Sequence, residues 1–225
     1  MSKFIVFEGL DGSGKSTQVG MLLDYLNEKK ISHVFLHFPR ITKTMIGEMI
    51  ASFLRGEFGA IEDINPYFLA LMYAQDRHDA KPILNDGINN HQFLIVDRYV
   101  YSNIAFQCAK VHDQLQKETL RNWILKLEYE HFALPKPDLT LFLKPPYDFV
   151  KNNLANNNRI GSDRDYLKGG IDIHENDLLF QKEVEHEYLK FADIDESFSI
   201  VNYQEGQRVL DPSEVSRIII EQVLA

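Results

Sequence analysis

The amino-acid sequence predicts an α/β fold in which five parallel strands form a doubly wound sheet flanked by helices. Three features predict it: short apolar runs, longer segments with helical spacing, and the alternation of the two along all 225 residues. The runs are rich in aromatic and β-branched residues and lack polar alternation, so we expect strands buried on both faces. They lie at residues 4–7, 34–38, 93–96, 139–143 and 198–201.

Apolar stripes at helical spacing indicate the first helices. One stripe follows the first run, and a second precedes Arg55 and Gly56. The stripes consist of Val19, Leu22, Leu23 and Leu26, and of Ile46, Ile50 and Leu54. A third helix is expected to begin with Asn65 as N-cap and Pro66 as its first residue, and to end or kink at Pro82.

The second half of the chain continues the alternation. Residues 115–131 have a long helical pattern. The last helix has a complete entry signal, with Asp211 as N-cap, Pro212 at the first position and Glu214 at the third. Because strand and helix alternate to the end, we expect one domain over residues 1–225.

The composition excludes several classes of protein. Hydrophobic residues make up 44% and charged residues 25% of the chain, as in globular rather than disordered proteins. No run approaches the ~18 apolar residues of a membrane span, and the N-terminal run is too short for a secretory signal. The single Cys108 cannot form an internal disulfide, which fits a reducing cytoplasm. The net charge of −9 argues against nucleic-acid polymers as partners, although a few local cations can still bind a small anion.

The segment GLDGSGKS, from Gly9 to Ser16, matches the pattern G-x-x-x-x-G-K-[ST]. It follows a predicted strand and precedes a predicted helix, the context in which this loop binds a nucleoside triphosphate. Glycines let backbone N–H groups wrap around phosphate oxygens, and the helix N-terminus adds positive charge. Lys15 would reach the β- and γ-phosphates, and Ser16 would ligate Mg²⁺. The alternative is a glycine-rich turn without a ligand.

A second anchor is Asp97-Arg98-Tyr99, directly after the third predicted strand. An acid at the carboxyl end of a parallel strand lies at the edge where such sheets bind ligands. Asp97 could orient Mg²⁺ or its water, and Arg98 could bind a phosphate. The alternative is a structural ion pair between the two. The chain lacks the N-K-x-D motif that reads guanine, so we do not expect a GTPase.

One polar stretch, residues 156–170, interrupts the alternation. It contains three consecutive asparagines, ends in two glycines and has no apolar stripe. It is predicted to be either a mobile surface loop or a mobile lid over about residues 156–173. As a lid, it would close over a ligand with Arg159, Arg164 and Lys168.

Four sequence blocks carry a family resemblance. They are FEGLDGSGKST at residues 7–17, FPR at 38–40, YAQDR at 73–77 and DRYVYSNIAFQ at 97–107. In this order they resemble the thymidylate kinase family of P-loop nucleoside monophosphate kinases, over about residues 4–225. The resemblance implies the P-loop kinase fold and transfer of the γ-phosphate of ATP to dTMP, with Mg²⁺ as cofactor.

The resemblance also implies two sets of binding residues. The ATP side comprises Gly9, Leu10, Asp11, Gly12, Ser13, Gly14, Lys15, Ser16 and Thr17. The dTMP side comprises Asp11, Phe38, Arg40, Tyr73, Arg77, Arg98, Ser102, Asn103, Phe106 and Gln107. Mg²⁺ would be held at Ser16 and Asp97.

Several of the dTMP-side residues have an implied role toward the phosphate and the sugar. Arg40 and Arg98 would clamp the 5′-phosphate, because guanidinium forks suit phosphate oxygens. Asp11 would bind the 3′-hydroxyl. Phe106 would crowd C2′ and so favour a deoxyribose.

The base would be read by residues of two predicted helices. Tyr73 would stack on the thymine ring. Arg77 would donate to a thymine carbonyl, and Ser102 or Asn103 would read the N3 edge.

The implied catalysis is positioning and charge neutralisation. The acceptor phosphate is ionised at neutral pH, so no strong general base is needed. Where some family members carry a basic P-loop residue this chain has Gly12, so the lid must supply the extra arginine. Arg164 matches the family pattern best and Arg159 is second. The expected catalytic residues are Asp11, Lys15, Arg98, Arg164 and Arg159.

Two alternatives remain open at this point. A deoxynucleoside kinase would phosphorylate a sugar hydroxyl. Such an enzyme needs only one phosphate-binding group on the acceptor side, whereas this chain has two arginines there, Arg40 and Arg98. The intact Lys15, Ser16, Asp97 and Arg98 argue against an inactive nucleotide-binding regulatory protein. The resemblance further implies a homodimer through helices around residues 45–80 and 100–110.

Overall fold

The computed structural model describes residues 2–41, 44–59, 64–155 and 178–225. Its centre is a parallel five-stranded sheet in the order β2-β3-β1-β4-β5. The strands are β1 (Lys3–Gly9), β2 (His33–His37), β3 (Phe93–Asp97), β4 (Leu139–Lys144) and β5 (Phe198–Asn202). The predicted doubly wound parallel sheet is confirmed, and the strand bounds differ from the predicted runs by one or two residues; Phe38, for example, follows β2.

Helices form the rest of the described chain, apart from loops and a small hairpin of β6 (Gln204–Glu205) and β7 (Arg208–Val209). The helices are α1 (Lys15–Glu28), α2 (Met45–Leu54), α3 (Pro66–Asp79), α4 (Lys81–Asn90), α5 (Val100–Cys108), α6 (Gln114–Leu125), α7 (Tyr147–Ala155), α8 (Leu178–Leu189) and α9 (Pro212–Leu224). A π-helical segment, Lys126–His131, continues α6. Within these described ranges, every helix falls short of the length and apolarity needed to span a bilayer.

The two faces of the sheet carry separate hydrophobic cores because successive strand residues point to opposite sides. On β1, Ile5 and Phe7 pack with α1 and α9, whereas Phe4 and Val6 pack with residues of α3, α5 and α8. All four side chains are buried. Helices therefore cover both faces, as the apolar runs predicted.

The local signals for helix starts are also confirmed. The Asn65 side chain accepts a hydrogen bond from the Tyr67 N–H at 2.9 Å, which caps α3. Asp211 and Glu214 form a reciprocal capping box at α9. Helix α3 ends at Asp79, and Pro82 lies in the first turn of α4.

The expectation of burial on both faces is wrong for the edge strand β2 and only partly right for the edge strand β5. Residues of β2 are half-buried or exposed, and the side chain of Phe35 on β2 is 39% exposed. On β5, Ser199 and Ile200 are half-buried, whereas Phe198 and Val201 are buried. The apolar composition of the two edge strands resembles that of the central strands. How much of a strand is covered depends on its position in the sheet order. That position is a property of the topology and not of the strand's own sequence.

The carboxyl edge of the sheet gathers the predicted motifs. Strand β1 pairs Phe7 with Asp97 of β3, and β2 pairs His37 with the same Asp97. The glycine-rich segment of residues 9–16, called the P-loop below, begins at the end of β1, and Arg98 follows β3. The FPR segment follows β2 and has a cis peptide bond before its proline. One edge therefore receives three loops that are far apart in sequence.

Candidate active site

The P-loop adopts a conformation that its glycines make possible. Gly9, Gly12 and Gly14 have φ angles of 153°, 79° and 85°, in the region that side chains disfavour. A Cβ on Gly9 would lie 2.8 Å from the Ser13 Oγ and 3.1 Å from the Leu143 carbonyl oxygen. The loop therefore curls tightly between β1 and α1 and opens onto the helix N-terminus, which favours an anion.

Lys15 lies inside this curl rather than in solvent. Its ammonium donates to the carbonyl oxygens of Gly9 at 3.1 Å and Leu10 at 2.8 Å. Burial, together with the nearby charge of Arg98, lowers the pKa of Lys15 to about 8. The cation is thus held at the floor of the loop, whereas Ser16 and Thr17 are exposed at the first turn of α1.

Asp97 is buried and makes a contact that the sequence did not reveal. Its Oδ2 lies 3.1 Å from Nδ1 of the half-exposed His37, at the end of the neighbouring strand. Burial alone would raise the pKa of Asp97, but His37, Lys15 and Arg98 outweigh it and lower that pKa. Among the residues that the structure describes, the Asp97 Oδ1 has no hydrogen-bond partner. An ionised carboxylate with one open oxygen fits a bound Mg²⁺, which prefers oxygen ligands.

Arg98 pairs with the P-loop, not with its neighbour Asp97. Its Nη2 donates to the Asp11 Oδ1 at 2.6 Å, so a structural Asp97–Arg98 ion pair is not what forms. The backbone of Arg98 has φ 66°, unusual for a side-chain-bearing residue. The same guanidinium lies 5.2 Å from the ring of Phe106, on α5. The loop after β1 and the cation that follows β3 thus meet directly.

A buried carboxylate that the sequence analysis missed, Glu8, organises the start of α5. It accepts hydrogen bonds from the N–H groups of Tyr99 at 2.9 Å and Ser102 at 3.0 Å, as an N-cap residue would. It also accepts from the hydroxyls of Ser102 and Tyr188. Burial raises the pKa of Glu8, and the hydrogen bonds and Arg98 oppose that rise. The sequence did contain one signal for the role of Glu8, an acidic residue near the end of an otherwise apolar strand.

Arg40 is fixed by Asp76 of α3. The Arg40 backbone N–H and Nε donate to the Asp76 carboxylate at 2.8 and 3.0 Å, and Nη2 donates to the Asp76 carbonyl at 2.8 Å. The guanidinium lies 6.0 Å from the ring of Phe38, which is fully buried. The segment after β2 is therefore tied to α3, next to Arg77.

Arg77 and Asn103 meet at a second carboxylate that sequence reasoning missed. Glu128, in the π-helical segment, accepts from the Arg77 Nε at 2.5 Å and Nη2 at 2.7 Å. It also accepts from the Asn103 Nδ2 at 2.9 Å. Burial would lower the pKa of Arg77, but Glu128 outweighs it and raises that pKa. A helical pattern does not reveal which side a π-helical residue faces, so the sequence carried no usable signal for Glu128.

The remaining predicted site residues differ in their burial and in their contacts. Tyr73 is half-buried, and Phe106 is buried near Arg98. Ser102 is committed to Glu8, with its Oγ 3.4 Å from the Arg98 Nη1. Gln107 accepts from Lys110 at 2.9 Å and makes no hydrogen bond to another predicted site residue of the described ranges. The proposed lid, with Arg159 and Arg164, lies outside the described residues.

A parallel sheet in this strand order, with a glycine-rich loop around a buried lysine between β1 and α1, defines a P-loop nucleotide kinase fold. The family model described as thymidylate kinase matches residues 7–211. The chain belongs to the thymidylate kinase family.

Curated relatives agree with this assignment. A probable thymidylate kinase of Pyrococcus horikoshii is 32% identical over 202 residues, covering 88% of this chain and 87% of the relative. A thymidylate kinase of Plasmodium falciparum is 34% identical over 151 residues, covering 67% of this chain and 65% of the relative.

Solved structures support the fold. Thymidylate kinase from Candida albicans is 28% identical with a TM-score of 0.72, covering 99% of this chain and 91% of that one. Thymidylate kinase from Ehrlichia chaffeensis, 20% identical with a TM-score of 0.64, supports the fold alone. The expected fold, family and enzyme class are confirmed, and the chain is an enzyme of the family that phosphorylates dTMP.

Proposed function

We propose that the chain transfers the γ-phosphate of ATP to the 5′-phosphate of dTMP, with the P-loop holding the donor and Arg98 the acceptor. The observation that carries this assignment is the 2.6 Å contact between Arg98 and Asp11. It joins an acceptor-side cation to the loop that would cradle ATP. An acceptor phosphate oxygen attacks the γ-phosphorus, the bond to the β–γ bridging oxygen breaks, and ADP leaves.

On the donor side, the N–H groups of residues 9–17 and the N-terminus of α1 would bind the ATP phosphates. Lys15 would neutralise charge on the transferred group, replacing its carbonyl contacts by phosphate oxygens. Ser16 and Asp97 would hold Mg²⁺, directly or through water. The bound ion would neutralise negative charge on the ATP phosphates.

On the acceptor side, Arg98 and Arg40 would clamp the dTMP phosphate, and Asp11 would accept from the 3′-hydroxyl. Phosphate binding has to compete with the Asp11 carboxylate for Arg98. A bidentate phosphate contact is strong enough for this exchange, because Asp11 is partly exposed and gains the sugar hydroxyl instead.

The base would stack on Tyr73 and be read by Arg77 of α3 and by Ser102 or Asn103 of α5. Phe106 would crowd C2′, while Phe38 and Gln107 would line the pocket from behind. Arg164, or otherwise Arg159, would reach the transferred phosphate from a lid over about residues 156–173.

We further propose one domain over residues 1–225 that acts as a cytoplasmic homodimer. An apolar patch on α3 and the loop before it supports the dimer. Phe58 is 42% and Phe68 49% exposed, and Leu71 lies on the same exposed face of α3 as Phe68. Sedimentation should give twice the mass of 26.1 kDa, and Phe68→Glu should give the single mass.

A substrate panel tests the proposed reaction. In an assay coupled to ADP release, turnover should be much faster with dTMP than with dUMP, dCMP, AMP or thymidine. Equal or faster turnover with thymidine would overturn the assignment, because a nucleoside has no phosphate for Arg40 and Arg98. Removal of divalent ions should abolish turnover, and Mg²⁺ should restore it.

A further inference from the structure

Glu128 connects the two helices that would read the base. It is completely buried, and both of its carboxylate oxygens are used. One accepts from the Arg77 Nε at 2.5 Å, and the other accepts from the Arg77 Nη2 at 2.7 Å and from the Asn103 Nδ2 at 2.9 Å. A single carboxylate thereby fixes a guanidinium on α3 and an amide on α5.

These contacts settle which way the Asn103 amide points. The Asn103 Nδ2 faces the Glu128 carboxylate and the Ala70 carbonyl, at 2.9 Å each. A carbonyl oxygen accepts hydrogen bonds but does not donate them, so the NH₂ group must face these partners. The amide oxygen is therefore the atom left over. Within the described ranges it is buried and has no hydrogen-bond partner.

The Arg77 guanidinium is fixed in the same way. Its Nε and Nη2 are committed to Glu128, and among the described residues Nη1 has no hydrogen-bond partner. A guanidinium can only donate. Glu128 thus leaves the Nη1 N–H groups of Arg77 as donors and the amide oxygen of Asn103 as an acceptor, on two packed helices.

We propose that Glu128 determines base specificity, by fixing Arg77 as a donor and Asn103 as an acceptor toward a pyrimidine that presents a carbonyl oxygen next to an N–H. Thymine and uracil present this pattern at O4 and N3. Cytosine presents the opposite pattern, an amino group at C4 and an unprotonated N3. The inference rests on the proposed binding of the base at Arg77 and Asn103 and adds the residue that sets their polarity.

Cytosine would be rejected by mismatch rather than by size. Its amino group would face the Arg77 donor, and its N3 would face the Asn103 oxygen. Buried polar groups without partners are costly, and sites built on hydrogen bonds reject wrong partners strongly for this reason. The Arg77 donor and the Asn103 acceptor cannot distinguish thymine from uracil, because the two bases share the O4 and N3 pattern.

The test is Glu128→Gln, which keeps the size of the side chain but replaces one acceptor oxygen by a donating NH₂ group. The new amide can donate to the Asn103 oxygen, so only the Ala70 carbonyl still holds the Asn103 NH₂ group, and the flipped amide, with its NH₂ group toward the base, becomes populated. We expect the ratio of kcat/KM for dTMP to that for dCMP to fall at least about tenfold. The ratio for dTMP to dUMP should stay unchanged. Dissociation constants for dTMP and dCMP, measured without ATP, should show the same change.

A matched control separates specificity from folding. Glu187 of α8 is also buried, and it accepts from Lys117 at 2.8 Å outside the site. Glu187→Gln should lower the melting temperature without changing either substrate ratio. A Glu128→Gln protein whose three substrates lose activity in parallel would overturn the proposal. If Glu128→Gln does not fold, Glu128→Asp provides the same measurement, with a smaller expected fall in the dTMP to dCMP ratio.

A failure of the proposed function can be distinguished from a failure of the inference about Glu128. If the unmodified chain does not prefer dTMP to thymidine, the assignment of the acceptor is wrong. If the unmodified chain prefers dTMP and Glu128→Gln keeps the full dTMP to dCMP ratio, only the role of Glu128 is wrong.

Discussion

The Tyr188 hydroxyl on α8 donates to the Glu8 carboxylate at the end of β1 at 2.8 Å, across 180 residues of sequence. The same hydroxyl lies 2.7 Å from the Ser102 Oγ, which in turn lies 3.4 Å from the Arg98 Nη1. Helix α8 is therefore connected to Arg98 through two hydroxyl groups. We expect Tyr188, which the motifs do not include, to position Arg98.

Tyr188→Phe should weaken dTMP binding several-fold and leave thymidine binding unchanged. The change deletes only the hydroxyl, because the ring still stacks on Phe142, with centroids 4.8 Å apart. The lost contact acts on Arg98, which would bind the phosphate that thymidine lacks. Titration calorimetry with both ligands measures the difference. Tyr101→Phe, which removes a hydroxyl bonded to Asp195 outside the site, is the control and should leave both affinities unchanged.

Arg98→Lys should lower kcat/KM for dTMP by about 10² to 10³ because lysine keeps the charge but not the planar fork. Thermal melting should show a folded protein, since Asp11 is partly exposed and the substituted lysine can still face it. Arg208→Lys, at an exposed arginine paired with Glu214, should leave the kinetics unchanged. Similar kinetics for the two variants would show that Arg98 does not bind the acceptor.

The buried ammonium of Lys15 should make stability depend on pH in a defined direction. Its pKa is about 8 in the folded chain and 10.5 as the ordinary value, so at pH between the two the unfolded chain binds more protons. The burial penalty is fully present below pH 8 and is relieved as pH rises toward 10.5. Stability relative to Lys15→Met should therefore increase with pH, by about 2 kcal/mol between about pH 7 and about pH 9.5.

Urea unfolding of the unmodified chain and of Lys15→Met at both pH values measures this difference. The two carbonyls that Lys15 contacts add an offset that does not titrate, so only the pH dependence matters. A constant difference would show that Lys15 is solvated.

Gly9→Ala should destabilise the chain by roughly 1–3 kcal/mol and weaken ATP binding. The new Cβ would lie 2.8 Å from the Ser13 Oγ and 3.1 Å from a backbone carbonyl, at φ 153°. Gly20→Ala, in α1, is the matched control because nothing lies within 4 Å of its Cβ. It should stabilise the chain by roughly 0.5–1 kcal/mol, since alanine suits a helix better than glycine. Calorimetric melting of both variants compares the two effects, and equal shifts would contradict the tight loop.

Much of the fold follows from signals between residues that are near one another in sequence. The Asn65 cap, the Asp211 capping box and the apolar runs each depend on neighbours within a few positions. The P-loop is similar, because its glycines and Lys15 act within one short turn. Strand exposure was harder to predict, since β2 and β5 become edges only when all five strands are placed.

The sequence by itself determined the parallel sheet, the phosphate-binding loop and the identity of most residues at the carboxyl edge. Only the tertiary structure decided how those residues are paired: Arg98 with Asp11, Asp97 with His37, and Arg77 with Glu128. The physical reason is distance along the chain. A local pattern records what each segment prefers, whereas the partner of a buried charge depends on which distant segments pack around it.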